Sequence, residues 1–261
     1  MMLRLPPPRT LLAAFGTALT LCASTLALLS APRALAADQP AAQTMLARAD
    51  AYRSTSSDTQ TDIRITNLVG QQQDDATRYL VYTRANGDTL ALTRSGENDG
   101  QKYLATTRGH WFYVPNTRSA VRINGMQRLQ GEVVISDITR THWADSYRAT
   151  TGAAATIDGR AATELDLAAT DPDNVYPSIK LWVATGTDVP IRAQFFLASG
   201  LLFRSADFAT PVEVDGRKVI RQITYRNEVE KQRASVVDIL DGKPHRIPSG
   251  WFNPDTLADA Q

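Results

Sequence analysis

From residue 61 onward, apolar and polar positions alternate with a period of two. "TDIRITNLV" alternates around Ile63 and Ile65; "TRYLVYTR" and "TLALTR" follow, parted by the Asn-Gly turn of "ANGD" (85–88). "QKYLATT", "HWFYVP" and "SAVRI" continue the series, with "ENDG" and a Pro-Asn pair as turns. A period of two puts successive side chains on opposite faces of a strand, so these segments predict hairpins in sequence. Further along, "GRAATELDLAA", "YPSIKLWVA", "VPIRAQFFLASG", "LLFRSADFA", "RKVIRQITYRNEV" and "RASVVDIL" predict more strands, separated by "DPDN", "ASG" and "VDGR". Before the first strand the period is different. In "DQPAAQTMLARADAYR" (38–53), Ala42, Met45, Leu46, Ala49 and Tyr52 share one helical face, and Asp38 stands where a cap would. Residues 125–157 show neither period clearly, and short helix and loop are expected there.

About a dozen strands with one clear helix predict an antiparallel α+β chain. Several strands are apolar on both faces: "LVY" (80–82), "LWV" (181–183) and "FFL" (195–197). That pattern arises when one face lines an interior and something else covers the other. A strongly curved sheet around a helix meets the demand. In "WFY" (111–113), Trp111 and Tyr113 then share one face and Phe112 takes the other.

The first residues have a different character. Arg4 and Arg9 precede the apolar run of residues 11–29, which leads through Pro32 to "ALA" at 34–36. This is the order of a secretory signal, with cleavage expected after Ala36. The predicted organisation is a signal peptide over 1–36 and one domain over 37–261. Cys22, the only cysteine, leaves with the leader, and Leu21 occupies the place where a lipoprotein signal needs a small residue. The mature chain then offers no disulfide, thiolate ligand or cysteine nucleophile. The chain as a whole has 28 basic and 27 acidic side chains, and the leader removes three basic ones, so bulk charge recruits no nucleic acid.

Chemistry is sparse. His110, His142 and His245 are the three histidines, and their spacing matches no metal motif. There is no GxSxG, no SxxK and no phosphate-binding glycine loop. "DPDN" (171–174) begins like a calcium loop but lacks its glycine and distal glutamate. Arg64, Arg78, Arg84 and Arg94 recur on the early strands; they would form either an anion site or outer-face charges that discourage edge pairing. The expectation is a protein without catalytic activity, metal or cofactor. Surplus aromatics on a curved sheet suit a container for an apolar ligand, and they suit a filled core equally well.

One segment carries a family resemblance. Gly109, Trp111, Phe112, Tyr113, Pro115, Thr117, Arg118, Arg122 and Ile123, then "QRLQG" (127–131) with Asp137, and the closing "IPSGWFNPDTL" (247–257), resemble the LolA-like outer membrane lipoprotein-sorting proteins. The resemblance implies a half-open β-barrel with an N-terminal helix and a short helical or loop lid over residues 125–150. It implies a periplasmic carrier, acting as a monomer, for lipoprotein acyl chains or a lipid. An inner-membrane transporter or an outer-membrane acceptor would be its partner. Under it, Leu90, Leu92, Trp111, Tyr113, Trp182, Phe195 and Phe203 are the expected cavity lining. The alternative on the same fold is a sensor or exporter-associated module that binds a membrane protein and transfers no cargo.

Overall fold

A computed structural model describes residues 33–260 except 55, 56, 97, 118, 140, 141 and 173; the predicted leader lies almost entirely outside the described residues. Helix α1 (Arg33–Asp50) comes first. It buries Ala42, Leu46 and Ala49, the stripe that helical spacing brings to one side. The strands β1 (Thr59–Val69), β2 (Gln72–Thr83), β3 (Thr89–Thr93), β4 (Lys102–Thr106), β5 (Gly109–Tyr113) and β6 (Val121–Ile123) form one antiparallel meander. A second arm is built from β9 (Tyr147–Ile157), β10 (Arg160–Ala169), β11 (Ser178–Ala184), β12 (Pro190–Phe196), β13 (Leu202–Phe208), β16 (Gln222–Asn227) and β17 (Arg233–Pro244). Between the arms lie the short pair β7 (Arg128–Gln130) and β8 (Val133–Val134), then helix α2 (Ile135–Thr139). A second short hairpin, β14 (Val212–Val214) with β15 (Arg217–Val219), leaves the sheet between β13 and β16.

All thirteen long-sheet strands join in the order β6-β5-β4-β3-β2-β1-β17-β16-β13-β12-β11-β10-β9. The first and last strands in sequence therefore pair at the centre, and β6 and β9 are the two edges. The sheet is not closed, since those edges do not pair. Residues 124–146 must travel from one edge to the other, and they do so across the inner face. There Leu129, Val133, Ile135 and Trp143 join a core shared with α1 and both arms, including Ile65, Tyr79, Leu165, Leu181 and Phe195.

Buried polar bonds fix this crossing. Arg204 on β13, only 1% exposed, donates to both oxygens of Asp137 at 2.9 and 2.7 Å and to the carbonyl of Glu132. Its guanidinium lies among the rings of Tyr225, Tyr176 and Phe195, at 5.0, 5.4 and 5.4 Å. The Glu132 amide donates to Ser235 Oγ at 2.8 Å, and that hydroxyl donates to Asn67 Oδ1 at 2.7 Å. Gly131 precedes it with φ +53°, and a Cβ there would stand 1.9 Å from Asn67 Oδ1, so no other residue fits. At the far end, Asp50 pairs with Arg53 at 2.5 Å and accepts the Ala144 amide at 2.8 Å. Burial raises the Asp50 carboxyl above its usual value, and the Arg53 charge works against that rise. Gln43 of α1 donates to Tyr147 O and accepts from Ala149 N, which occupies the free edge of β9.

The outer face has a core of its own. After β17 the chain returns over β2–β5 as two 3-10 turns, Ser249–Phe252 and Pro254–Asp259. Ile247, Phe252, Leu257 and Ala260 cover Tyr82, Leu90, Leu92, Leu104 and Tyr113, with Trp111 and Trp251 at the margin. Lys102 donates to the carbonyls of Leu257, Ala258 and Ala260 at 3.1, 2.5 and 2.6 Å, so a buried ammonium closes the last turn. The doubly apolar strands of this arm thus face two cores.

The structure departs from the sequence pattern at three places: the first helix begins at Arg33, so Asp38 lies inside it and not at its cap. Residues 147–157, expected to be irregular, form β9, whose "YRATTGAAATI" is too small and half-exposed to alternate visibly. "RKVIRQITYRNEV" is not one strand: it holds all of β15 and all of β16, parted at Ile220, which is turned inward with its amide donating to Tyr52 O at 2.8 Å.

A candidate ligand pocket on the inner face

Alternation on the central strands sends Thr59, Thr61 and Ile63 of β1, Val81 and Thr83 of β2, Ile223 and Tyr225 of β16, and Val237 and Ile239 of β17 to the inner face. They line a cavity of about 350 Å³. Where α1 ends, Tyr52, Arg53 and Ser54 form one wall. The β14–β15 hairpin contributes Val214, Asp215, Arg217 and Val219 to another, and Asp137 and Ile138 of α2 close the side toward the crossing. The hairpin is held by the Ile220 amide on Tyr52 O and by Arg217 Nη2 on Ser54 O at 3.2 Å. The volume lies in the range of small-molecule sites, and most of the exposed wall is apolar.

Beside it is a cleft of about 20 Å³ lined by Arg53, Asp137, Trp143, Tyr176, Phe195 and Tyr225. Burial pushes the phenols of Tyr176 and Tyr225 well above the ordinary tyrosine value. The neighbouring charges are matched, Arg53 by Asp50 and Asp137 by Arg204.

The seven residues predicted as lining are dispersed. Phe195 lies in the inner core and borders the small cleft, with its ring 6.4 Å from Tyr225. Phe203 packs half-buried against the same core. Leu90, Leu92, Trp111 and Tyr113 point the other way, beneath the C-terminal segment, and Trp182 packs outside on Ala162 and Ile191. None of the seven borders the larger cavity. Phe112 is the inward member of "WFY", stacked on Tyr103 at 4.8 Å. The cavity-lining residues of β1, β16 and β17 were not among those the sequence pattern singles out as lining. Their alternation was visible, but the empty space between them has no sequence signal.

The recurrent arginines do not gather into an anion site. Arg64 pairs with Asp238 at 2.9 Å and Arg78 with Asp62, both across strands on the outer face. Arg84 lies over the Phe252 ring at 4.1 Å. No group of three metal-ligating side chains occurs among the described residues.

A family model described as "uncharacterized protein" matches residues 86–259. The chain belongs to that family. No curated protein matches the sequence. Among solved structures, a LolA superfamily protein from Nitrosomonas europaea is 25% identical, with a TM-score of 0.76 over 82% of this chain and 98% of that one. A DUF1329 family protein from Desulfovibrio piger is 18% identical, with a TM-score of 0.72 over 84% of this chain and 99% of that one. A putative outer membrane lipoprotein-sorting protein domain from Vibrio parahaemolyticus is 15% identical, with a TM-score of 0.70 over 84% and 99%. The protein is LolA-like, and its mostly-sheet α+β fold is the one those structures share.

Proposed function

We propose that the protein is a periplasmic carrier that takes an acyl chain into the inner-face pocket and moves it toward the outer membrane. In this reading the open sheet is a half-open barrel, residues 1–36 are a secretion signal, and the remainder acts as a monomer without catalysis. The lining is Ile63, Val81, Ile223, Tyr225, Val237 and Ile239, with Phe195 behind Tyr225. The observation that carries the proposal is the mostly apolar cavity of about 350 Å³ on the inner face of the sheet. Each methylene that leaves water for such a cavity gains about 0.8 kcal/mol, which needs no specific polar contact along the chain. The LolA superfamily and lipoprotein-sorting names of the structural neighbours support the same class of cargo.

The test is to express the full sequence in a bacterial periplasm, purify without detergent and record native mass spectra before and after organic extraction. We expect a mass that begins at residue 37, a lipid adduct that extraction removes, and recovery of the adduct on mixing. Thr61→Trp, which puts an indole into the cavity, should abolish it. A protein that arrives empty and takes up neither lipids nor lipopeptides overturns the carrier reading.

A further inference from the structure

The cavity is mostly apolar, and its lining carries more basic than acidic side chains. Its charged lining divides into two sets. Arg53 and Asp137 are neutralised by Asp50 and Arg204. Arg217, Arg221 and Lys243 belong to no ion pair among the described residues. Arg217 and Arg221 each donate one bond, to the carbonyls of Ser54 and Leu240 at 3.2 and 2.8 Å. Against these three cations the lining sets one unmatched carboxylate, Asp215. The Nε–H of Arg221 is buried and reaches no acceptor among the described residues. A buried charged donor without an acceptor is costly, and a guanidinium edge matches a carboxylate or phosphate.

Size is compatible with an acyl tail, since about 350 Å³ lies in the range of small-molecule sites.

Resting on the carrier reading above, we infer that the pocket takes an amphiphile with an anionic head. The tail lies between β1, β16 and β17, and the carboxylate or phosphate head accepts from Arg221, with Arg217 and Lys243 at the rim.

The experiment titrates the extracted protein by calorimetry with hexadecanoate, hexadecyl phosphate, the neutral monohexadecanoylglycerol and inorganic phosphate. At least one anionic amphiphile should bind about tenfold or more tighter than the neutral one, the factor a single charge-assisted hydrogen bond supplies. Arg221→Gln should bring that ratio toward one while the neutral ligand's affinity holds. Arg217→Gln combined with Lys243→Gln should lower the ratio as well, and decides the matter if the Arg221 variant does not fold. Equal affinity for anionic and neutral tails overturns the head assignment and leaves the carrier reading standing. Failure of every tailed probe overturns both. Inorganic phosphate binding as tightly as hexadecyl phosphate also overturns the inference, because the tail then contributes nothing.

Discussion

Removing Arg204 should release the crossing segment from the sheet. The side chain is 1% exposed, and it holds both oxygens of Asp137 and the carbonyl of Glu132. Arg204→Met keeps much of the volume but strands the Asp137 carboxylate, which is 4% exposed and keeps only the Val134 amide, at 2.8 Å. Breaking one partner of a buried pair costs about 3–5 kcal/mol, because the remaining charge stays desolvated. For a domain of this size each kcal/mol lowers Tm by about 2–4 °C, so a fall of about 6–20 °C is expected. Asp137→Leu should cost a comparable amount, by leaving the guanidinium among the rings of Tyr176, Phe195 and Tyr225 without its counter-charge. The double variant buries no charge, and its loss should fall short of the summed single losses by about 2 kcal/mol or more. Urea unfolding followed by tryptophan fluorescence reads all three variants, since Trp143 lies 5.9 Å from Phe195 in the affected core. Strictly additive losses, or single losses below about 1 kcal/mol, would refute the view that this pair anchors the crossing.

Three further outcomes follow from the geometry. Gly131→Ala, which sets a methyl against Asn67 Oδ1 at a φ of +53°, should lower stability by about 1–3 kcal/mol, seen as a lower urea midpoint, whereas Gly159→Ala, with open space around it, should cost less. Leu257→Ala, at a fully buried site, should cost about 2–5 kcal/mol, and Lys102→Met should speed protease cleavage after residue 244 without changing the lipid adduct. Burial raises the Tyr103 phenol to about 12 from an ordinary 10, and Tyr79 rises further for the same reason. Folded-state values above the unfolded ones favour the native protein below pH 10, and that advantage is lost as pH climbs toward 12. Phenolate absorbance should therefore appear together with unfolding in that window, and early absorbance from all eight tyrosines in a still-folded protein would contradict the burial.

How much of this was legible depended on which question was asked of each residue. The helical stripe of Ala42, Leu46 and Ala49 and the strands around Ile63, Tyr79, Leu165 and Leu181 were legible because period alone defines them. Even the split of Trp111 and Tyr113 from Phe112 follows from the pleat. What period cannot say is which of two apolar faces points inward. On β2–β5 both faces are covered, and the larger side chains of Leu90, Leu92 and Trp111 turned out to meet the returning C-terminus, a contact between residues more than a hundred positions apart. The cavity escaped for a related reason: Ile223, Val237 and Ile239 would read the same if they touched one another. Arg204 lies in an ordinary alternating strand, "LLFRSADFA", and nothing local marks it as the most deeply buried charged residue among the described residues.

The pairing of β1 with β17 at the centre of the sheet governs when the pocket can exist during synthesis. A growing chain makes β1 and β2 early, and with them Thr61, Ile63 and Val81. It makes Ile223, Val237 and Ile239 only near the end. Until residue 244 has emerged, β1 keeps an unpaired edge and half of a cavity wall faces solvent. The pocket is therefore completed only as the last strand is made, and prematurely terminated chains would display an open strand edge and bare aliphatic surface.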